Sequence, residues 1–212
     1  LDEWSSMPVV INRQSLIFHS AKDGSVTQQI RLKNLLELDE NETVTAATYN
    51  QGKQQITVGS SQGKFFIINL NYRRVQHNDT WVTTAKPKML GPFEFELAGP
   101  VKQISYGAQD EQKLCAALIE NNGKEKVLVA YLNQSVDLFG NAGPLEIAQS
   151  FELKLKGTLQ SLIVSNQADM ITISTIEGHL AIYKCNGEAP DLFQEKEISG
   201  GKNALLVPVL GD

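Results

Sequence analysis

The chain has 212 residues, which is long enough to bury a hydrophobic core without disulfides and excludes a disulfide-framework miniprotein. Its formal net charge of -5 argues against a non-specific nucleic-acid binder, because such proteins carry an overall basic field. Its apolar runs, such as residues 204–207, fall far short of the roughly 18 residues that span a bilayer. We therefore expect a soluble domain with no nucleic-acid partner.

Apolar runs of five to eight residues, broken by clusters of Gly, Asn, Asp and Gln, predict short antiparallel strands along the whole chain. In chain order the predicted strands are 9–13, 15–20 and 25–32; then 44–49, 55–60, 64–70 and 93–97; then 101–106, 113–120, 126–132 and 148–155; then 159–164, 170–175, 179–184 and 192–198; and finally 204–209. The best helical candidate, residues 32–40, is short and runs into an acidic stretch, so we interpret it as a loop between two units. Four strands per unit is typical of β-propeller blades.

An internal repeat supports this grouping. Residues 93–99 align with residues 151–157, with the same spacing from Phe to Gly in both, and residues 193–200 form a weaker third copy. The apolar and charged residues alternate strictly in the first two copies, which predicts strands with one buried and one solvated face. The repeat therefore marks the last strand of each unit.

We predict an all-β fold, a β-propeller-like array of four-stranded antiparallel blades in a single domain, residues 1–212. The predicted blades are residues 9–32 completed by 204–209, then 44–97, 101–155 and 159–198. The sequence leaves two arrangements open. The blades form either a four-bladed ring or an arc of a larger propeller.

One short motif resembles a catalytic site. Residues 59–63 match the G-x-S-x-G pattern of hydrolases, whose serine needs a turn between a strand and a helix. Here a strand follows the motif, so we interpret Gly63 as a hairpin glycine with positive φ.

The residues that most often bind metals or act as nucleophiles are scattered. His19, His77 and His179 have no partner at metal-ligand or triad spacing. Cys115 and Cys185 lie in apolar runs, which is typical of buried thiols. The acidic residues between positions 37 and 42 lack the ligand pattern of a calcium loop, so we interpret them as solvated charge. We predict no catalytic residue, no metal and no cofactor.

Residues 71–92 depart from the repeat and lengthen the first full unit. The candidate partner-contact residues in this insertion are Arg73, Arg74, Trp81, Lys86 and Lys88. A tryptophan among several cations is typical of a contact patch, and long loops on a propeller face commonly bind partners. The alternative is a solvated insertion with Trp81 folded back on its blade.

Residues 55–68 and 205–212 together resemble the propeller-like insert found in long-form permease subunits of the bacterial phosphate-specific (Pst) ABC transporter. The resemblance implies a non-catalytic interaction or regulatory domain on the periplasmic face of the inner membrane. It also implies protein partners, namely the rest of the permease, the solute-binding protein or a regulator. The resemblance further implies that the domain is attached to the membrane only through flanking segments outside this sequence.

The strand and turn patterns in these residues also occur in WD40-type and quinoprotein-type propellers, although no Gly-His and Trp-Asp pair closes any unit here. The alternative function is therefore a propeller scaffold that binds a protein partner in a soluble complex, with a cytoplasmic location.

Overall fold

The computed structural model of the chain describes residues 7–50, 53–77, 80–136 and 142–198. These residues form four successive antiparallel sheets, numbered sheet 1 to sheet 4 in chain order, and one separate two-stranded ribbon. The predicted all-β fold with propeller-like antiparallel sheets is confirmed. The predicted strand 204–209 lies outside the described residues.

Sheet 1 has the order β1 (Val9–Ile11), β2 (Ser15–His19), β3 (Val26–Arg31). Sheet 2 has the order β4 (Val44–Asn50), β5 (Gln55–Ser60), β6 (Lys64–Asn69), β9 (Lys88–Glu94), and the ribbon between β6 and β9 consists of β7 (Tyr72–His77) and β8 (Thr80–Ala85). Sheet 3 has the order β10 (Val101–Gln109), β11 (Gln112–Asn121), β12 (Lys124–Val136), β13 (Ala142–Leu153). Sheet 4 has the order β14 (Leu159–Val164), β15 (Met170–Thr175), β16 (His179–Lys184), β17 (Asp191–Glu197).

The sheets stack face to face, with an apolar cluster in each of the three spaces between them. Strand β6 shows the principle, because Phe65 and Ile67 point into the cluster shared with sheet 3 while Phe66 and Ile68 point into the cluster shared with sheet 1. A strand buried on both faces reads as a continuous apolar run, and residues 65–68 do so. The stacking of sheets through both faces is the arrangement of propeller blades.

Polar side chains also connect sheets 3 and 4. The buried Oγ of Ser105 accepts a hydrogen bond of 2.9 Å from the backbone N–H of Val164. The side-chain amide of Gln112 donates to the carbonyl oxygens of Ala168 and Cys185 at 2.9 and 3.0 Å. Because each of these bonds satisfies a backbone group at the join, they fix the position of one sheet on the next.

The connection between sheets 1 and 2 contains a short helix, α1 (Leu32–Leu35), where we had expected only a loop. Leu32 and Leu36 are buried against the cluster shared by the two sheets. One helical turn suffices to place them, and such a turn is too short to give a clear periodic pattern in the sequence.

The outer strand of sheet 2 also differs from the prediction of 93–97, since β9 covers Lys88–Glu94. Strand β6 pairs with β9 from Asn69 opposite Lys88 to Lys64 opposite Glu94. Beyond the ladder Phe95 remains buried, so the alternation of buried and exposed residues continues where the strand has ended. Alternation alone therefore placed this strand too far along the chain.

We expect the free energy of unfolding to fall at alkaline pH. Burial raises the pKa of the Cys185 thiol to about 11 and that of Tyr72 to about 12, and it also raises the pKa of Cys115 and Tyr106. The unfolded chain ionises these groups near their ordinary values, about 8.5 for Cys and about 10 for Tyr. The stabilisation is therefore complete below about pH 8.5 and is lost as the pH rises through the folded-state values.

Urea unfolding at pH 7 and at about pH 9.5 measures this loss. Only the thiols titrate appreciably in that window, so the loss should be smaller in the double variant Cys115→Ala with Cys185→Ala. Equal free energies of unfolding of the wild type at the two pH values would contradict the prediction.

Candidate functional site

A cleft of about 410 Å³ opens between the outer strands of sheets 3 and 4. One wall is the end of β13 and the residues that follow it, and the other wall is formed by β15, β16 and β17. The apolar residues that line the cleft are Leu153, Leu155, Ile173, Ala181, Tyr183, Pro190 and Leu192. Sheets 3 and 4 share their core along the inner strands, while β17 is exposed over its whole length, so the space widens towards the outside.

Both walls of the cleft carry charged residues, and Glu152 lies with two lysines on the side of sheet 3. Lys154 and Lys156 lie on the side of sheet 3, and Glu195 lies on the side of sheet 4. The ammonium group of Lys156 is 2.8 Å from a carboxylate oxygen of Glu195. The hydrogen bond to Glu195 raises the pKa of Lys156. Because this pair is exposed, it is worth little in stability, and it can open to admit a ligand at small cost.

One further contact joins the walls of the cleft, and a second fixes the segment that leads from β13 into sheet 4. The Tyr183 hydroxyl donates to the carbonyl oxygen of Lys154 at 3.4 Å, which joins the two sheets at the apolar floor. The carboxylate of Glu177 accepts from the backbone N–H of Thr158 at 2.9 and 3.1 Å. The floor is therefore fixed by contacts within the chain, whereas the rim is formed by long charged side chains.

His179 lies at the rim of the cleft, with its Nε2 3.9 Å from a carboxylate oxygen of Glu197. Its Nδ1 is buried and has no hydrogen-bond partner among the described residues. The cleft thus offers an apolar floor and charges of both signs at its rim. This combination suits an apolar side chain of a bound segment whose backbone or polar groups meet the rim.

The predicted contact residues of the insertion lie on or beside the β7–β8 ribbon, which replaces the loop that we had expected. Arg73 and Arg74 are exposed successive residues of β7, so they belong to opposite faces of the ribbon. Lys86 and Lys88 are exposed and flank the start of β9. The backbone of Trp81 lies in β8 opposite Gln76.

The ribbon is anchored at its base rather than at its tip. Tyr72 contacts the ring of Phe18 in sheet 1 edge to face, at 6.3 Å between centroids, and Ala85, which lies opposite Tyr72, is buried in the same cluster. Because the two arginines lie on opposite faces of the ribbon, they do not form a single patch. A partner-contact role for Arg73, Arg74, Trp81, Lys86 and Lys88 stays a prediction.

The acidic stretch between positions 37 and 42 is not uniformly solvated, contrary to our expectation. The Glu42 side chain is 1% exposed, and the ammonium group of Lys64 lies 3.3 Å from it and 3.2 Å from Asp39. The hydrogen bond to Asp39 and then that to Glu42 raise the pKa of Lys64. These residues join the loop after α1 to sheet 2, which is a structural role.

The remaining predictions from the sequence concern one glycine, two cysteines and the residues that bind metals. Gly63 has a φ of +83° in the turn that leads into β6, as predicted for a hairpin glycine. Cys115 and Cys185 are buried free thiols, as predicted. In the described ranges no group of three or more His, Cys, Asp or Glu side chains could hold a metal ion. The same ranges contain no helix long and apolar enough to cross a membrane.

Sequence reasoning missed the cleft because its lining comes from two separate parts of the chain, residues 152–156 and 173–195. The only sequence signal was the alternation at Leu153 and Leu155, which predicted a buried face without showing what it faces.

No protein-family model matches the chain, and no curated protein matches it. A chain in the crystal structure of a mitotic checkpoint complex is similar in fold with 12% identity and a TM-score of 0.48, covering 89% of this chain and 46% of its own length. The chain thus spans about half the length of that protein. The β-propeller domain of Cps50 (Swd1) from Myceliophteria thermophila is similar with 8% identity and a TM-score of 0.34, covering 90% of this chain and 71% of its own.

The stacked antiparallel sheets of the chain itself, three of them four-stranded, define its class, a β-propeller-like all-β protein.

Proposed function

We propose that this chain is a non-catalytic propeller scaffold that binds a protein partner, and that the cleft between sheets 3 and 4 takes an apolar side chain from an extended segment of that partner. The observation that carries the proposal is the apolar floor of the cleft between two charged walls. An apolar recess with a polar rim is the anatomy of a protein-binding hot spot.

The position of the cleft suits a segment that lies along the outside of the sheets. Strand β17 is the outermost strand of sheet 4, and all of its residues are exposed. A bound segment can therefore reach the floor without displacing any strand, and the exposed Lys156–Glu195 pair is the contact that it would replace.

Filling the cleft should weaken this binding. Ala181→Trp places a large ring at a half-buried position that lines the cleft, and we expect it to weaken binding of a cleft-directed peptide by about tenfold or more, since one hot-spot contact is worth about 1–2 kcal/mol. Peptides are selected from a display library of short random sequences on the wild-type protein, and their dissociation constants are then measured for both proteins.

The matched control is Ala21→Trp, the same change at an exposed turn residue of sheet 1, which should leave the dissociation constants unchanged. Thermal unfolding of both variants shows whether the fold is kept. Equal binding of every selected peptide to the wild type and to Ala181→Trp would refute the cleft as the binding site.

We further propose the ribbon residues Arg73, Arg74, Trp81, Lys86 and Lys88 as a second contact with the partner. The setting in a phosphate permease, its periplasmic location and the solute-binding protein or a regulator as partners stay predictions from the sequence resemblance. The soluble-complex scaffold is the alternative setting, and the geometry of the cleft serves a protein partner in either.

A further inference from the structure

A second depression, of about 420 Å³, lies at the end of sheet 4 where β15 and β17 begin and β16 ends. Its apolar lining includes Met170, Leu192 and Phe193, which are 38%, 52% and 57% exposed. Single exposed apolar residues are normal on a protein surface, but three large ones around one recess are typical of an interaction site.

The positions of two of these side chains follow from the strand register. Strand β17 pairs Gln194 with Ile182 and Leu192 with Tyr183, so Phe193 is an extra residue at a bulge. Leu192 therefore lies beside Tyr183 and lines both the cleft and the depression, whereas Phe193 lines the depression alone. The ammonium group of Lys184 lies 4.1 Å from the centroid of the Phe193 ring and holds that ring in place.

The surroundings of the depression are acidic. Residues 159–198 contain six carboxylates and two lysines and no arginine, so this part of the chain accounts for most of the net charge of -5. Asp169 and Asp191 line the depression, and Asp191 is exposed. Asp169 accepts a hydrogen bond of 2.6 Å from Ser165, which leaves Asp191 as the carboxylate most open to a partner.

We propose that this depression binds a basic, apolar segment of a protein partner, with a leucine-like or methionine-like side chain in the recess and a lysine or arginine beside it at Asp191. Apolar burial supplies the affinity, and the negative field of sheet 4 attracts the basic residues and selects against acidic segments. Leu192 lines both the depression and the cleft, whereas Met170, Asp191 and Phe193 line the depression alone, so variants at these residues test it separately.

The test uses three fluorescently labelled peptides of equal length in a polarisation assay. The first alternates leucine with lysine, the second alternates leucine with glutamate, and the third alternates serine with lysine. We expect the wild-type protein to bind the first peptide at least about tenfold more tightly than the other two, and added salt to weaken this binding because it screens the charges.

Two variants locate the binding. Phe193→Ser should weaken binding of the leucine–lysine peptide by about tenfold, because it removes the most exposed apolar side chain of the recess. Asp191→Lys should weaken it most at low salt. The matched controls are Val26→Ser, which removes an exposed apolar side chain of sheet 1, and Glu111→Lys, which reverses an exposed charge in the turn between β10 and β11.

The proposal is overturned if Phe193→Ser changes the affinity for the leucine–lysine peptide by less than about twofold. It is also overturned if Val26→Ser lowers that affinity as much as Phe193→Ser does. Equal affinities for the three peptides would also overturn it. Self-association of the wild type in light scattering, abolished by Phe193→Ser, would assign the depression to a second copy of the chain instead. Ala181→Trp should not affect binding of the leucine–lysine peptide. A negative result for the depression can therefore be told apart from a negative result for the cleft.

Discussion

Phe65→Ala should lower the free energy of unfolding by about 3–5 kcal/mol, since removing a fully buried ring loses its burial energy and leaves a cavity. Phe65 is 0% exposed and lies in the cluster between sheets 2 and 3. Its ring stacks on Phe93 at 4.9 Å between centroids and contacts Phe95 at 5.0 Å. Urea unfolding followed by circular dichroism measures the change.

The matched control is Phe193→Ala, which removes the same ring from an exposed position of sheet 4. Its effect on stability should stay below about 1 kcal/mol, because little apolar area leaves the core. If the two variants were equally stable, the cluster between sheets 2 and 3 would not be the packed core that the structure shows.

The position of Phe65 illustrates which parts of the fold were accessible from the sequence. Strands buried on both faces, such as β6, and hairpins turning at glycine leave strong local signals, because burial and positive φ restrict residue type directly. The four successive antiparallel sheets followed from counting these signals. The strand predictions 55–60, 159–164, 170–175 and 179–184 match β5, β14, β15 and β16.

The surface features left weaker signals. Exposed strands such as β7 and β8 need no apolar periodicity, so the insertion looked like a loop although it forms a hydrogen-bonded ribbon. The buried pairing of Glu42 with Lys64 joins residues 22 positions apart, and nothing local marks either residue as paired. The cleft and the depression depend on the packing and register of whole sheets, and a register cannot be read from one strand.

The two candidate surfaces on sheet 4 have a common cause. Sheet 4 shares a core with sheet 3 through β14 and β15, whereas every residue of β17 is exposed. This exposed outer strand borders two recesses, the cleft and the depression, and Leu192 lines both. A partner that wraps around β17 could occupy both at once, and linking two contacts in this way raises affinity well beyond either alone.

Gly99→Ala should be the most damaging of the glycine substitutions in the turns, with a loss of about 2–4 kcal/mol in the free energy of unfolding. Gly99 has a φ of +148°, a conformation that is strained for any residue with a Cβ. An added Cβ would also overlap the carbonyl oxygen of Glu120. That carbonyl cannot move away easily, because the Glu120 N–H donates to the carbonyl oxygen of Pro100 at 3.1 Å, next to Gly99.

Gly123→Ala is the control that measures the cost of backbone strain without any overlap of the added Cβ with another atom. Gly123 has a φ of +73° in the hairpin between β11 and β12, and an added Cβ would meet no atom within 4 Å. We expect this variant to lose only about 1 kcal/mol, the cost of the strained φ alone. Comparable losses in the two variants would mean that the turn around Gly99 can shift away from Glu120. A clear excess for Gly99→Ala would mean that the repeated glycine marks a close approach between sheet 3 and the end of sheet 2, which a sequence repeat can locate but cannot explain.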